Sequence, residues 1–287
     1  MMSNYAKSPL NYTGGKYKLL PQIIPLISTD KKIFVDLFGG GFNVGVNTSY
    51  GYMVYNDINK QVCELLYHFY TEDIDYIDSQ VVALTEKYNL DSKEKSEHAD
   101  LYLQLRDEYN KDKDWLKFYV LITSSFSNMI RFNKKGEFNA PCGKRGYNPV
   151  LQKRLREFIK RLQEKDITFC NQDFRDVVID KNCFVYCDPP YYNSVAAYNE
   201  NGGWSDQDEQ DLLDLLDDIN SFGGQFALSN NFKYDNPILK EWALKRNYPI
   251  YSISANYGNC NYHKKDRTPD REVLITNYKV RNYFEQS

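Results

Sequence analysis

Four residues in the second half of the chain combine groups that could hold an amine. Asp188-Pro189-Pro190-Tyr191 supplies a carboxylate, two prolines and an aromatic ring directly after the apolar run 183–187. Proline fixes φ and donates no amide hydrogen, so the carbonyls of this turn can accept hydrogen bonds. The apolar run predicts a buried strand, and open α/β sheets bind ligands at the carboxyl ends of their strands. The motif therefore predicts a site for the exocyclic amine of a planar base.

A glycine-rich turn earlier in the chain is a second candidate for ligand binding. Phe38-Gly39-Gly40-Gly41-Phe42 follows the strand-like segment 32–38, and we expect a helix to begin near residues 43–45. Asp57 lies eighteen residues after Gly39, near the separation at which a second-strand acid holds a ribose diol. The third glycine of G-x-G-x-x-G is replaced by Val44, so a pyrophosphate cofactor fits poorly. An adenosine without phosphates fits better and indicates S-adenosylmethionine; the alternative is a tight βα turn without a ligand.

The N-terminal segment Asn11-Tyr12-Thr13-Gly14-Gly15-Lys16 offers a ring and a cation beside two glycines. It is not a phosphate-binding P-loop, because Tyr17 follows the lysine. Lys16 could meet the methionyl carboxylate of S-adenosylmethionine. The alternative is a glycine-rich loop with a solvated lysine.

Charge is distributed unevenly along the chain. The net charge is −3, yet residues 131–165 carry eleven Lys and Arg against three Glu, a local +8 that leaves −11 elsewhere. Such a basic block predicts contact with nucleic-acid phosphates. The acidic stretch 206–218 has leucines at helical spacing and predicts a solvated helix face.

The composition indicates a globular protein that does not cross a membrane. No apolar run approaches eighteen residues and the first residues lack the layout of a signal peptide, so we expect a cytoplasmic protein. Six cysteines without a C-x-x-C pair and three histidines favour reduced thiols and no metal site. Cys183 and Cys187 are expected to pack in the core.

Strand-like and helix-like segments alternate along the chain. Strand signals occur at 32–38, 52–57, 167–170, 184–187, 225–229, 249–253 and 273–276. The segment 60–165 is mostly helical in pattern, with a loop or hairpin at 132–149. The pattern predicts an α/β sheet with a helical insertion between its second and third strands.

Together these motifs resemble the D-P-P-Y amino-methyltransferases, specifically the Dam-type DNA adenine methyltransferases, with the T-even bacteriophage enzymes as the closest resemblance. The resemblance covers nearly the whole chain, from Tyr12 to Val273, and keeps the motif order of that family. Its most specific part is Phe126-Ser127-Asn128-Met129-Ile130-Arg131, continued by Asn133, Gly136, Phe138, Pro141 and Gly143-Lys144-Arg145. In that family this stretch belongs to the target-recognition part and implies the palindrome GATC.

The resemblance implies a Rossmann-like, S-adenosylmethionine-dependent methyltransferase sheet with an inserted, mostly helical target-recognition domain. Residues 1–58 and 167–287 would form the catalytic domain, and 59–166 the DNA-binding insertion. The reaction implied is methyl transfer to N6 of adenine in double-stranded DNA, with S-adenosylhomocysteine as the product. Catalysis would rest on Asp188, Pro189, Pro190 and Tyr191, whose ring would stack on a flipped-out base. The implied cofactor contacts are Tyr12, Lys16, Phe38, Gly40, Asp57, Phe174, Asp188 and Tyr198.

The DNA contacts that the resemblance implies are Phe126, Ser127, Met129, Arg131, Asn133, Pro141, Lys144 and Arg145. Arg131 resembles a guanine reader, because a guanidinium can donate to both O6 and N7; contact with a phosphate is the alternative. Phe126 resembles a ring pushed into the duplex, and a core aromatic is the alternative. Further phosphate candidates are Lys153, Arg154 and Arg156.

Two departures from bacterial Dam concern guanine contacts. Phe42 stands at the position of a spaced glycine, and Asn11 at the position of a lysine.

Other functions remain open at this level. A methyltransferase acting on N4 of cytosine, on RNA adenine or on protein glutamine would use a related Pro-Pro-Tyr site. Asp188 and the basic insertion favour adenine in DNA, and the same intact residues argue against a DNA-binding module with a relict cofactor pocket. A cognate restriction endonuclease is compatible with the resemblance, with no direct contact implied.

Overall fold

The computed structural model describes residues 5–12, 14–91, 95–144, 146–192, 203–232, 236–254 and 271–280. Within these ranges the strands are β1 Ile33–Asp36, β2 Tyr52–Asn56, β3 Asp166–Cys170, β4 Cys183–Cys187, β5 Gln225–Asn231, β6 Ile250–Ser254 and β7 Arg271–Thr276. The α-helices are α1 Leu20–Ile23, α2 Lys60–Thr71, α3 Ile74–Lys87, α4 Lys95–Asp112, α5 Trp115–Ser124, α6 Pro149–Gln163, α7 Asp206–Ser221 and α8 Pro237–Lys245. Short 3₁₀ turns occur at Lys16–Leu19, Ile24–Leu26, Gly45–Asn47, Phe126–Asn128 and Phe174–Asp176.

The seven strands form one sheet in the order β3-β2-β1-β4-β5-β7-β6. The first five are parallel, whereas β7 runs antiparallel between β5 and β6. All seven strands predicted from the apolar runs are present. The order reverses between β1 and β4, so the ends of these two strands flank the crevice where ligands bind in such sheets.

Side chains alternate between the two faces of the sheet, and each face has its own core. Phe34 of β1 lies in the core formed with α2 to α6 and the N-terminal segment. Its neighbour Val35 lies in the opposite core, which α7 and α8 cover. Strand β4 is buried throughout, including Cys183 and Cys187, as predicted for a strand covered on both faces.

The segment between β2 and β3 is helical, as predicted, with the break between α5 and α6. Side-chain caps begin its helices: Asn59, Asp73, Asp114 and Asn148 each accept a backbone N–H of the first turn. The larger core contains residues of the N-terminal segment, the sheet and these helices together. The division at 59–166 into a recognition domain stays a prediction.

The prediction of a helix beginning near residues 43–45 is wrong, because this segment forms only the 3₁₀ turn Gly45–Asn47. Strand β2 begins at Tyr52, which leaves too few residues for a longer helix. The Asn47 amide also donates to the carbonyls of Ala6 and Asn43, at 2.7 and 2.8 Å, and fastens the turn to the N-terminal segment.

In the part of the chain that the structure describes, no helix is both long and apolar enough to cross a membrane.

Candidate active site

Asp188 and Lys16 form an ion pair at the carboxyl end of β4. Lys16 Nζ lies 2.7 Å from Asp188 Oδ1, and the lysine is 3% exposed. The same ammonium donates to the carbonyl of Gly14 at 2.8 Å. Burial raises the pKa of Asp188, while the Lys16 charge acts in the opposite direction. The pair places a carboxylate at the crevice with one oxygen already oriented by a buried cation.

Tyr191 is held by a second carboxylate from a distant part of the chain. Its hydroxyl donates to Glu272 Oε2 at 2.8 Å, and Glu272 Oε1 accepts from Asn231 Nδ2 at 3.3 Å. The Lys16 ammonium lies 5.1 Å from the centroid of the Tyr191 ring. Burial raises the pKa of Glu272, against the nearby Lys16 charge and the bond from Tyr191. A ring, an ammonium and two carboxyl groups thus share one buried site.

The glycine loop after β1 is fixed by residues of β2. Gly40 N–H donates to Asp57 Oδ2 at 2.8 Å, and Tyr55 donates its hydroxyl to the Gly40 carbonyl at 2.9 Å. Gly40 has φ +47°, and a Cβ there would lie 3.0 Å from the Tyr12 ring, so a larger residue is strained twice. The other oxygen of Asp57 accepts Asn59 N–H at 2.8 Å. Asp57 is therefore a carboxylate that orders the glycine loop through one oxygen and the start of α2 through the other.

Three aromatic rings meet beside this loop. Phe38 lies 5.4 Å from Phe174 and 5.7 Å from Trp204, measured between ring centroids, and Phe174 lies 5.7 Å from Trp204. The Trp204 indole donates to Glu209 Oε2 at 2.6 Å, which fixes its plane. The sequence identified Phe38 and Phe174 but not Trp204. An aromatic cluster of this kind, with its rings tilted or edge-on to one another, offers ring faces and edges to a planar group such as adenine.

Asp36, at the end of β1, is a buried acid close to the site. It is 2% exposed and accepts Gly45 N–H at 3.2 Å. Burial, with a smaller contribution from the negative charges of Asp188 and Asp57, raises the pKa of Asp36 to about 8, although the bond from Gly45 N–H acts in the opposite direction.

The predicted DNA contacts other than Arg145 lie on the segment 125–144, which we call the 125–144 hairpin. Its two arms meet at the bridges between residues 125 and 142 and between residues 132 and 138. Phe126 is 54% exposed, so the alternative of a core aromatic is wrong, and its insertion into the duplex stays a prediction. Ser127 and Asn128 both have positive φ, 57° and 53°, in a tight turn that presents the Phe126 ring outward.

Polar side chains of the 125–144 hairpin bond mainly to one another. Arg131 donates through Nε to Asn139 Oδ1 at 2.8 Å and through Nη2 to the Asn139 carbonyl at 2.6 Å. Asn133 donates to Glu137 Oε2 at 2.8 Å and caps the turn by accepting N–H groups of Lys135 and Glu137. Met129 is half-buried, whereas Ser127, Pro141 and Lys144 are exposed.

The hairpin is joined to the N-terminal motif. Asn11 Nδ2 donates to the Ser127 carbonyl at 2.7 Å. Asn11 immediately precedes Tyr12, whose ring covers Gly40. The structure therefore brings the glycine loop, the N-terminal motif and the exposed Phe126 to one side of the molecule.

The basic residues of α6 differ in how they are used. Arg156 pairs with Asp75 and Asp78 at 2.6 and 3.1 Å, and Lys153 lies 3.7 Å from Glu157. Arg154 makes no ion pair with any residue of the described ranges. Burial, followed by repulsion from Arg154 and Lys18, lowers the pKa of Lys7. The fold thus assembles a basic cluster of Lys7, Lys18 and Arg154 that the sequence did not reveal.

Two predicted site residues, Tyr198 and Arg145, lie outside the described residues. Sequence reasoning missed Glu272 and Trp204. In the sequence, Glu272 is only an acid at the start of a strand, and Trp204 is a single tryptophan outside any motif. Among the described residues no group of three His, Cys, Asp or Glu side chains could hold a metal ion.

The strand order and the Asp-Pro-Pro-Tyr turn beside a glycine loop define an α/β methyltransferase. The chain belongs to the family of D12 class N6 adenine-specific DNA methyltransferases, whose family model matches residues 12–259.

Curated relatives agree with this family. The type II methyltransferase M.FokI of Planomicrobium okeanokoites is 40% identical over 96% of this chain, and the modification methylase StsI of Streptococcus sanguinis 35% identical over 97%. The chain spans only 43% and 44% of the length of these two relatives. A DNA adenine methylase of Salmonella typhi is 29% identical over 87% of the chain and 90% of its own length. The narrower resemblance to T-even bacteriophage enzymes stays a prediction.

Proposed function

We propose that this chain transfers the methyl group of S-adenosylmethionine to N6 of adenine in double-stranded DNA. The observation that carries the proposal is the Lys16–Asp188 pair at the end of β4, beside the glycine loop of β1. A carboxylate and a proline carbonyl stand where the crevice of the sheet opens, in a chain of the adenine-N6 family. This arrangement supports methyl transfer to an amine better than a metal-dependent reaction or one with a protein nucleophile.

The chemistry required is modest. The N6 lone pair of adenine is delocalised into the ring, so the amine is a poor nucleophile. The Asp188 carboxylate and the Pro189 carbonyl would accept its two hydrogens and turn the lone pair toward the sulfonium methyl group. Transfer would then be a direct in-line displacement in which the C–N bond forms as the C–S bond breaks, and the sulfur leaves with the bonding electrons. The methylated nitrogen would then lose one proton to the Asp188 carboxylate, which would release it to solvent. Positioning supplies much of the rate.

The cofactor would lie along the glycine loop. The aromatic cluster of Phe38, Phe174 and Trp204 suits the adenine ring, and Asp57 lies at the loop for the ribose. Lys16 has a third N–H beyond its bonds to Gly14 and Asp188, which supports the proposed contact with the methionyl carboxylate. Tyr12 and Gly40 would form the wall of this pocket.

The target adenine must leave the duplex to reach the site. Tyr191 would stack on the extruded base, and the exposed Phe126 would fill the space that the base vacates. The 54% exposure of this large ring on a tight turn supports this role.

Sequence would be read from the 125–144 hairpin. Arg131 is the proposed guanine reader, with Ser127, Met129, Asn133 and Pro141 along the same surface. Lys144 and the basic cluster of Lys7, Lys18 and Arg154 would bind phosphates, which gives salt-dependent affinity. Arg156 is a weaker phosphate candidate, because it is paired with two aspartates.

GATC is the proposed target, on the resemblance to the Dam-type enzymes. A different target is the second candidate, because identity is higher to the relatives named as type II and modification methylases than to the DNA adenine methylase. The names of those relatives also support a role in a restriction–modification system, with a cognate endonuclease that shares the target.

Expression in a Dam-deficient host tests chemistry and target together. Genomic DNA is digested with nucleases that differ in tolerance of methylated GATC and is then read by single-molecule sequencing. Protection of GATC with N6-methyladenine confirms both proposals. N6-methyladenine in another motif retains the chemistry and rejects GATC. The absence of N6-methyladenine, with soluble protein present, rejects the proposed function.

A further inference from the structure

Glu272 is a buried acid directly before the apolar run 273–275 of β7. It precedes the buried residues Val273, Leu274 and Ile275 of β7 and is itself only 7% exposed. Its register partner on β5 is Asn231, which donates to Oε1. A buried carboxyl group lowers stability unless hydrogen bonds compensate for its lost hydration. The position therefore calls for an explanation other than core packing.

The carboxylate of Glu272 has a specific partner in the proposed active site. The Tyr191 hydroxyl donates to Oε2 at 2.8 Å across 81 residues of sequence. A hydrogen bond from the Tyr191 side chain also lowers the pKa of Asp188, after the larger effects of burial and of Lys16. One hydroxyl proton thus lies between two carboxyl groups, and it can be donated to only one acceptor at full strength.

We propose that Glu272 is a positioning residue that holds the Tyr191 hydroxyl and keeps it away from Asp188. This inference rests on the proposed function and deepens it. The bond to Glu272 fixes the plane of the ring on which the target base stacks. It also keeps the acceptor capacity of Asp188 for the two partners that catalysis needs, the Lys16 ammonium and the target amine.

Loss of the Glu272 carboxylate should slow methyl transfer. In Glu272→Ala the hydroxyl turns to Asp188 and competes with the amine, while the ring loses its fixed plane. We expect the single-turnover rate of methyl transfer to fall about 100-fold, the effect of misplacing a reacting group by about 1 Å. Glu272→Gln keeps one acceptor oxygen, whereas Glu272 accepts from both Tyr191 and Asn231. The rate of this variant should fall only about tenfold, which corresponds to the loss of one hydrogen bond of about 1.4 kcal/mol.

A double-mutant cycle with Tyr191→Phe isolates the contact. The phenylalanine keeps the stacking ring and lacks the hydroxyl, so it can neither bond to Glu272 nor compete for Asp188. We expect the double variant to be no slower than Glu272→Ala alone. If the rate of the double variant instead falls by the product of the two single-variant factors, the two side chains act independently and the proposal is overturned. If Glu272→Ala does not fold, the cycle with Glu272→Gln replaces it.

Base stacking gives a readout that a purely structural role would not change. A duplex with 2-aminopurine at the target position reports the extruded base, whose fluorescence is quenched by stacking on Tyr191. We expect brighter emission from the Glu272→Ala complex than from the wild-type complex at saturating DNA. Equal emission together with a wild-type rate would contradict the proposal.

Asp78 provides a matched control. It is also a buried carboxylate that accepts from a tyrosine, with Tyr147 Oη 2.9 Å from Oδ1, but it lies on α3. Asp78→Asn should lower stability without slowing methyl transfer at a temperature where the variant is folded. A comparable rate loss in this control would attribute the Glu272 effect to folding. The wild-type reaction is measured first, so failure of the proposed function is distinguished from failure of this inference.

Discussion

The carboxyl-edge cluster (Lys16, Asp36, Asp57, Asp188, Tyr191 and Glu272) and the 125–144 hairpin differ in where their polar partners come from. In the cluster, the bonds between side chains join residues far apart in sequence: Lys16 meets Asp188, and Tyr191 meets Glu272. In the hairpin, the bonds between side chains join residues close in sequence, Arg131 with Asn139 and Asn133 with Glu137. The cluster is mostly buried, whereas the tip of the hairpin is exposed.

This difference matches two physical requirements. Chemistry at an amine needs acceptors held in place before the substrate arrives, and burial among fixed partners achieves this. A DNA-reading surface must instead exchange internal bonds for bonds to bases. The proposed role of Arg131 would have it exchange its bonds to Asn139 for bonds to guanine, and the guanidinium would be satisfied in both states.

The largest expected effect tests the buried half of the comparison. Asp188→Ala should lower the single-turnover rate of methyl transfer at least about 10³-fold, since it removes the acceptor of the amine and leaves Lys16 buried without its partner. Radiolabelled methyl transfer to duplex DNA measures the rate. The matched control is Asp180→Ala, before the amino end of β4, which should retain activity. Methyl transfer by Asp188→Ala at the wild-type rate would contradict the proposed mechanism.

Two aromatic residues of the hairpin sharpen the contrast between burial and exposure. Phe138 is 1% exposed and packs against Tyr109, Phe118 and Phe132, so Phe138→Ala should lower the free energy of unfolding by about 3–5 kcal/mol. Phe126→Ala should change it by only about 0.5 kcal/mol while weakening extrusion of the target base. Urea unfolding and 2-aminopurine fluorescence measure the two effects. A large loss of stability in Phe126→Ala would show that the Phe126 ring contributes to core packing.

Burial of the carboxyl-edge cluster also predicts a pH dependence of stability. The pKa of Asp36 rises from 3.8 to about 8 in the folded protein, so the unfolded chain releases this proton near pH 4 and the folded protein near pH 8. Between these values the free energy of unfolding falls as pH rises, by up to about 1.4 kcal/mol per pH unit. Asp36→Asn keeps an acceptor for Gly45 and should remove this contribution. Parallel wild-type and variant curves from pH 4 to 8 would show that Asp36 ionises normally.

The smallest expected effect tests the exchange of bonds in the hairpin. Arg131→Ala should reduce discrimination at one base pair by about 1–3 kcal/mol, because a bidentate contact to guanine is lost. Competition between cognate and single-substitution duplexes measures this. Lys134→Ala, an exposed cation on the same hairpin, is the control and should weaken binding equally for all sequences. Equal weakening by Arg131→Ala would assign Arg131 to a phosphate.

The fold could be predicted from the sequence to a large extent. Apolar runs identified all seven strands, and the signal is clearest for β4, because burial on both faces requires a continuous hydrophobic segment. The helix expected after the glycine loop was wrong, since the distance to β2 and the Asn47 bonds to the N-terminal segment are not local signals. Arg156 looked like a phosphate ligand from charge alone, yet it pairs with acids of α3.

The sequence by itself determined the chemical groups and the strand ends that carry them: a carboxylate and carbonyl after β4, a glycine loop after β1 and a basic insertion. Only the tertiary structure decided which groups meet, such as Lys16 with Asp188, Tyr191 with Glu272, and Lys7 with Arg154. The reason is that hydrophobic period and turn residues act over a few positions. Pairing between distant side chains depends instead on strand register and helix packing, which no local pattern encodes.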